Sequence, residues 1–91
     1  MEPIPPRTIE TLTAYRDRGV PSGGFVRACL ENDFCGAAVR ADFHNAAALS
    51  EIARFIYSNI PAVAWGSPEK VNDWLEKHNA EAAVGESTRD V

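Results

Sequence analysis

Gly19-Val20-Pro21-Ser22-Gly23-Gly24-Phe25 divides the N-terminal half of this 91-residue chain into two helix-like stretches. Ahead of it, Ile9, Leu12 and Tyr15 recur at the spacing of one helix face. Behind it, Val26, Cys29, Leu30, Ala37 and Ala41 form a second stripe. Gly19 is placed to end the first helix, and Pro21 forbids simple continuation. Ser22 suits the cap of a helix opening near Gly23. The segment therefore reads first as a connector between two helices. A glycine-rich turn entering a helix also leaves backbone N–H groups unpaired, and such ends attract anions. That second reading ranks below the first, because the turn lacks the lysine of a phosphate-binding loop.

Working outward, the proline-rich residues 1–7 read as an extended segment. Thr8 is the expected cap of the first helix, which should close near Arg18. The second helix is expected from Gly23 to Ala41. Gly36 lies inside it, and its small neighbours Ala37, Ala38 and Ala41 suggest a kink or the close approach of another helix. Asp42 is a cap for a third helix over Phe43 to Asn59, with Leu49, Ile52, Phe55 and Ile56 on one face and Pro61 as its terminator. Ser67-Pro68-Glu69 then starts a fourth helix, carrying Val71, Trp74, Leu75 and His78 on one face. From Asn79 on, large apolar groups are scarce, and residues 79–91 read as a flexible tail. No strand pattern stands out. The expected fold class is all-α: a short N-terminal helix and an antiparallel helical hairpin over residues 8–78, with a C-terminal helical extension.

Composition narrows the function classes. Hydrophobic residues make up 45% and charged residues 24%, as in an ordinary globular domain. A chain this short has a modest core, so self-association would help its stability. No apolar run reaches the roughly 20 residues of a membrane span, and Met1 to Pro6 lacks a secretory pattern. The expectation is a cytoplasmic protein without a membrane partner. The net charge is −4. No basic cluster is present, which argues against duplex nucleic acid. Seven of the nine basic residues are arginines, whose planar forks suit a small phosphate. Cys29 and Cys35, six apart, would sit on different faces of one helix and about 9 Å apart along it, too far for a disulfide. They read as free thiols without zinc-ligand spacing, and no metal or cofactor is expected.

Candidate chemistry is thin. His44 beside Asp42 suggests a base and its orienting carboxylate, but no nucleophile is placed near them, and a surface histidine at a helix start is the plainer reading. Asp33 and Arg40, seven apart, share a face as packing contacts, intersubunit ion pairs or ligand groups. The aromatic residues carry more. Tyr15 precedes the glycine turn, Phe25 follows it, and Trp65 adjoins Gly66-Ser67-Pro68. Arg16, Arg18 and Arg27 flank the same turn. Aromatic planes stack bases, while arginines and free N–H groups hold phosphates.

The order of Tyr15, Gly19 to Phe25, Leu30-Glu31-Asn32-Asp33, Arg40-Ala41-Asp42, Asn45, Tyr57 and Trp65-Gly66-Ser67-Pro68-Glu69-Lys70-Val71 with Trp74 resembles a family of small phage proteins. These are the helical-hairpin sponges that counter CBASS immunity, related to a hairpin in Thoeris anti-defence proteins. The likeness covers about residues 8–76. It implies a non-enzymatic homo-oligomer, typically a hexamer, in the host cytoplasm. Such an oligomer would sequester cyclic di- or trinucleotides such as cyclic GMP-AMP in pockets between protomers. Relatives hold cyclic ADP-ribose isomers. The resemblance gives Tyr15 a base-stacking role and makes Arg27 the nearest counterpart of a phosphate contact. Asn32 and Asp33 shape the pocket or the contact between copies. The ligand-binding set is then Tyr15, Arg16, Arg18, Gly23, Gly24, Phe25, Arg27 and Asn32, with no catalytic residue. Two rival expectations are an oligomeric adaptor that binds a host protein through Phe25, Trp65 and the acidic C-terminal half, and a small hydrolase using His44 and Asp42.

Overall fold

A computed structural model describes residues 3–90, with side chains described for 3–79. It is all-helical, and the described residues contain no strand. Six α-helices run in order: α1 (Pro6–Arg18), α2 (Gly24–Leu30), α3 (Phe34–Arg40), α4 (Phe43–Ala47), α5 (Leu49–Asn59) and α6 (Pro68–Asp90). A 3-10 turn, Ala62–Ala64, precedes α6.

α1 begins at Pro6, slightly before the expected Thr8 cap. Proline suits a first helical position, where its missing N–H would have no partner in any case. The N–H groups of Thr8 and Ile9 donate to Pro5 O. Thr8 is instead buried, its hydroxyl donating to Asn45 Oδ1 at 2.6 Å. The helix closes as expected at Gly19, whose φ is 63°. Gly19 N–H donates to Tyr15 O and Val20 N–H to Ala14 O, which satisfies carbonyls that a helix end otherwise leaves open.

The long helix expected over Gly23 to Ala41 is broken. α2 ends at Leu30, and Asn32 takes a left-handed φ of 64°. Asp33 then caps α3, its carboxylate accepting Gly36 N–H at 2.9 Å. Asparagine tolerates the left-handed conformation, and aspartate's short side chain offers the backbone an alternative to the helical ladder. The break thus lies at Asn32 and not at Gly36. Gly36 is needed for another reason: a Cβ there would collide with the Asp33 carboxylate and crowd Arg40 Nη1. The side chains nearest to that Cβ are those of Asp33 and Arg40, from the same segment. α2, likewise, is capped by no side chain: Gly23 holds the N-cap position and Ser22 lies outside it.

Asp42 caps α4 as expected, accepting Asn45 N–H at 2.8 Å. Ala48 interrupts α4 and α5 only briefly, since Ile52 N–H returns to Ala48 O. Ser67 Oγ accepts Lys70 N–H at the start of α6. The tail expected from Asn79 lies almost wholly outside the described side chains, and its backbone belongs to α6.

The core is shared among distant segments. Leu12 and Tyr15 of α1 meet Val26 and Leu30 of α2, Ile52 and Ile56 of α5, then Ile60, Ala64 and Val71. Each large apolar side chain buried this way stabilises the fold by roughly 1.5–3 kcal/mol. Gly66 N–H donates to Leu30 O at 2.7 Å and ties the loop before α6 to the end of α2.

Candidate functional site

The glycine turn runs from the end of α1 to the start of α2, and its surroundings decide which flanking residues are accessible. Tyr15 is not: its residue surface is fully buried. Its hydroxyl donates to Ala64 O at 2.6 Å, and its own carbonyl accepts Trp74 Nε1–H at 2.9 Å. Burial pushes the phenol up to about 12, with Arg27 pulling it back and Glu31 adding to the rise. Within one chain Tyr15 joins α1 to α6, and neither face of its ring is open to a base.

Arg27 is also engaged. Its Nε pairs with Glu31 at 2.8 Å one helical turn on, and its Nη2 donates to Asn72 Oδ1 at 2.6 Å. It links α2 to α6. Arg16 forms a two-point contact with the neighbouring Asp17 on the surface, holding that carboxyl below the usual carboxylate range. Arg18 is exposed at the end of α1. Phe25 is half-buried and packs against the core. Asn32 is exposed at the elbow between α2 and α3.

What the fold does bring together is Arg40 and the start of α2. A Cβ built on Gly24 would lie 3.2 Å from Arg40 Cδ and 3.5 Å from its Nε, while Gly23 faces open space. The exposed Arg40 side chain, with Nη1 donating to Gly36 O at 3.2 Å, therefore lies beside the uncapped N–H groups that open α2. Asp33 and Arg40 flank Gly36 from either side without an ion pair between them. Their spacing of seven in the sequence placed them on one face; only the fold of α3 back onto α2 brings Arg40 to Gly24.

A cleft of about 560 Å³ opens between the α2–α3 elbow and α4–α5. Phe34, Ala37, Ala46, Ala47, Leu49 and Ala53 form most of its apolar wall, and Asn32, Asp33 and Ser50 add polar groups. Sequence reading missed it, though the three-residue step from Phe34 to Ala37 and the helical spacing of Ala46, Ala47 and Ser50 carry its signal. A second hollow of about 540 Å³ separates the N-terminal prolines from Asp42, His44 and Asn45. There the Asp42 carboxylate serves as the α4 cap, and the His44 ring meets Phe43 edge-on at 5.7 Å. That arrangement supplies no base-and-orienter pair.

Cys35 is exposed, whereas Cys29 is half-buried with its thiol pushed by burial up to about 11. Among the described residues no group of three or more His, Cys, Asp or Glu is placed to hold a metal, and no helix is long and apolar enough to cross a membrane. Comparison with protein-family models, with curated proteins and with solved structures found no match to this chain.

Proposed function

We propose that this chain binds and sequesters a cyclic nucleotide messenger, as the phage sponge proteins it resembles do, in a pocket completed by a second copy of the chain. The reading rests on the ordered residues between Thr8 and Trp74. The one feature of the fold that supports it is the Arg40 guanidinium beside Gly24. A phosphate at that point meets a planar cationic fork. Arg18, exposed at the end of α1, adds positive charge at the other end of the turn. Sequestration requires affinity without turnover, so the reading needs no catalytic group. In the host cytoplasm such a protein would keep the signal of a CBASS-type defence from its effector; a cyclic ADP-ribose signal of the Thoeris type is the alternative ligand class.

Isothermal titration with cyclic di- and trinucleotides and cyclic ADP-ribose isomers tests this. One ligand should bind tighter than about 10 μM, roughly −7 kcal/mol, and be recovered intact after heating. Arg40→Ala should weaken that ligand by about tenfold or more, as for a lost charge-assisted contact, while leaving helicity unchanged. A panel without binding at that level overturns the reading. Tyr15→Ala is a poor probe, because it removes a core side chain. The adaptor reading has less support: Phe25 and Trp65, its chosen contacts, both pack against the core.

A further inference from the structure

The Arg40 side chain lies across two glycines. Its Cδ and Nε stand 3.2 and 3.5 Å from where a Cβ on Gly24 would be, and its Nη1 stands 2.9 Å from where a Cβ on Gly36 would be. Nη1 also donates to Gly36 O at 3.2 Å. The guanidinium is therefore held by α2 and by its own helix, while the residue stays exposed. Nε and Nη2 have no hydrogen-bond partner among the described residues. An arginine fork of this kind takes two oxygens of one phosphate in parallel.

A carboxylate stands beside that fork. The same Cβ on Gly36 would overlap Asp33 Oδ2. Asp33 and Arg40 thus face each other across the space of one methyl group, and no ion pair joins them. Asp33 Oδ1 is committed to Gly36 N–H at 2.9 Å, which fixes the carboxylate in place. Its negative charge acts on any anion that Arg40 holds. A phosphodiester has two free oxygens and one charge, so the fork satisfies it fully. A phosphate monoester has three free oxygens and, well above its second pKa of about 6, two charges. Arg40 alone would reward the second charge. Asp33, equal in charge and close by, cancels that reward.

We infer that Asp33 is a specificity-determining residue, which makes Arg40 a site for phosphodiesters and denies an advantage to phosphate monoesters. Gly36 is the positioning residue that lets the two side chains come this close. This selectivity deepens the sequestration reading and takes its ligand from it. A cyclic nucleotide carries diesters only, whereas mononucleotides and linear breakdown products carry a terminal monoester. A protein that sequesters the cyclic form among abundant mononucleotides needs that distinction.

The test is a titration of the full chain with dimethyl phosphate and with methyl phosphate, read at the Arg40 Nε–H resonance by nuclear magnetic resonance. Low salt keeps charge contacts unscreened, and at about pH 8 the monoester carries nearly two charges. Both probes should move the resonance, with methyl phosphate bound no tighter than dimethyl phosphate. Asp33→Asn should strengthen methyl phosphate relative to dimethyl phosphate by about fivefold, the effect of one charge at the high dielectric of a surface. Asparagine caps a helix as well as aspartate does, and a merely structural change would move both probes alike. Tighter binding of the monoester to the wild type, an unchanged ratio in Asp33→Asn, or no shift with either probe overturns the inference. The expected order of probes in a chain that binds no cyclic nucleotide supports this role of Asp33 and sinks the sequestration reading alone. A cyclic dinucleotide bound no tighter than its linear 5′-phosphorylated form sinks the role of Asp33 alone.

Discussion

Gly19 shows how much a single residue can be asked to do. Its φ of 63° is open to glycine at little cost. It is also buried, and a Cβ there would overlap the ring and Cβ of His78. The His78 ring lies against Trp74, with centroids 4.8 Å apart, and Trp74 Nε1–H in turn donates to Tyr15 O. The end of α1 is thus seated on α6 through the absence of a side chain. Gly19→Ala combines a left-handed alanine, costing about 1–2 kcal/mol, with displacement of His78. A total loss of 2 kcal/mol or more is expected, read as a lower urea midpoint. The helix-ending role of Gly19 was legible in the sequence, because it depends on neighbours in the chain. The seat for His78 was not, because it depends on a residue 59 positions away.

At the scale of elements, the informative site is the elbow at Asn32-Asp33. Hydrophobic periodicity runs through it: Val26 and Leu30 before it and Ala37 after it are all buried. A stripe that keeps its period across a break reads as one helix. The break is local chemistry, a left-handed asparagine followed by a capping aspartate. Asn32→Ala should cost about 1 kcal/mol in urea unfolding, because alanine pays the left-handed penalty. Asn32→Gly should be close to neutral. Equal stability of the alanine variant would mean that α2 and α3 can merge into one helix. The other boundaries were more legible where a cap and its acceptor lie three residues apart, as at Asp42 and Ser67. Ser22 failed as a cap because the helix opened one residue later, at Gly24, with Gly23 in the cap position.

For the molecule as a whole, ionisation of buried groups sets an alkaline limit. Burial holds the Tyr15 phenol protonated to about 12, against 10.0 for the ordinary group, and the Cys29 thiol to about 11, against 9.0. Both pKa values are higher folded than unfolded. The stability tied to each is therefore intact below the unfolded value and is lost as pH rises through the folded one. Urea midpoints should fall from about pH 9 and more steeply between 10 and 12. In Tyr15→Phe the steep part should flatten, at a cost near 1 kcal/mol at neutral pH for the lost hydrogen bond to Ala64 O. An unchanged slope in that variant would place the alkaline loss elsewhere.

The same buried tyrosine separates what the sequence determined from what tertiary structure decided. Helical content, the glycine end of α1, the Asp42 and Ser67 caps and the apolar face of α5 all follow from interactions within about four residues, and so were readable along the chain. Accessibility follows from packing among segments far apart in sequence. Tyr15 and Arg27, chosen as contacts for a ligand, are held by Ala64, Trp74 and Asn72. Arg40, weighed only for its spacing from Asp33, arrives beside Gly24 because the Asn32 elbow turns α3 back along α2. Local hydrogen bonding drew the helices; the burial of apolar surface between them decided which side chains remain free to meet a partner.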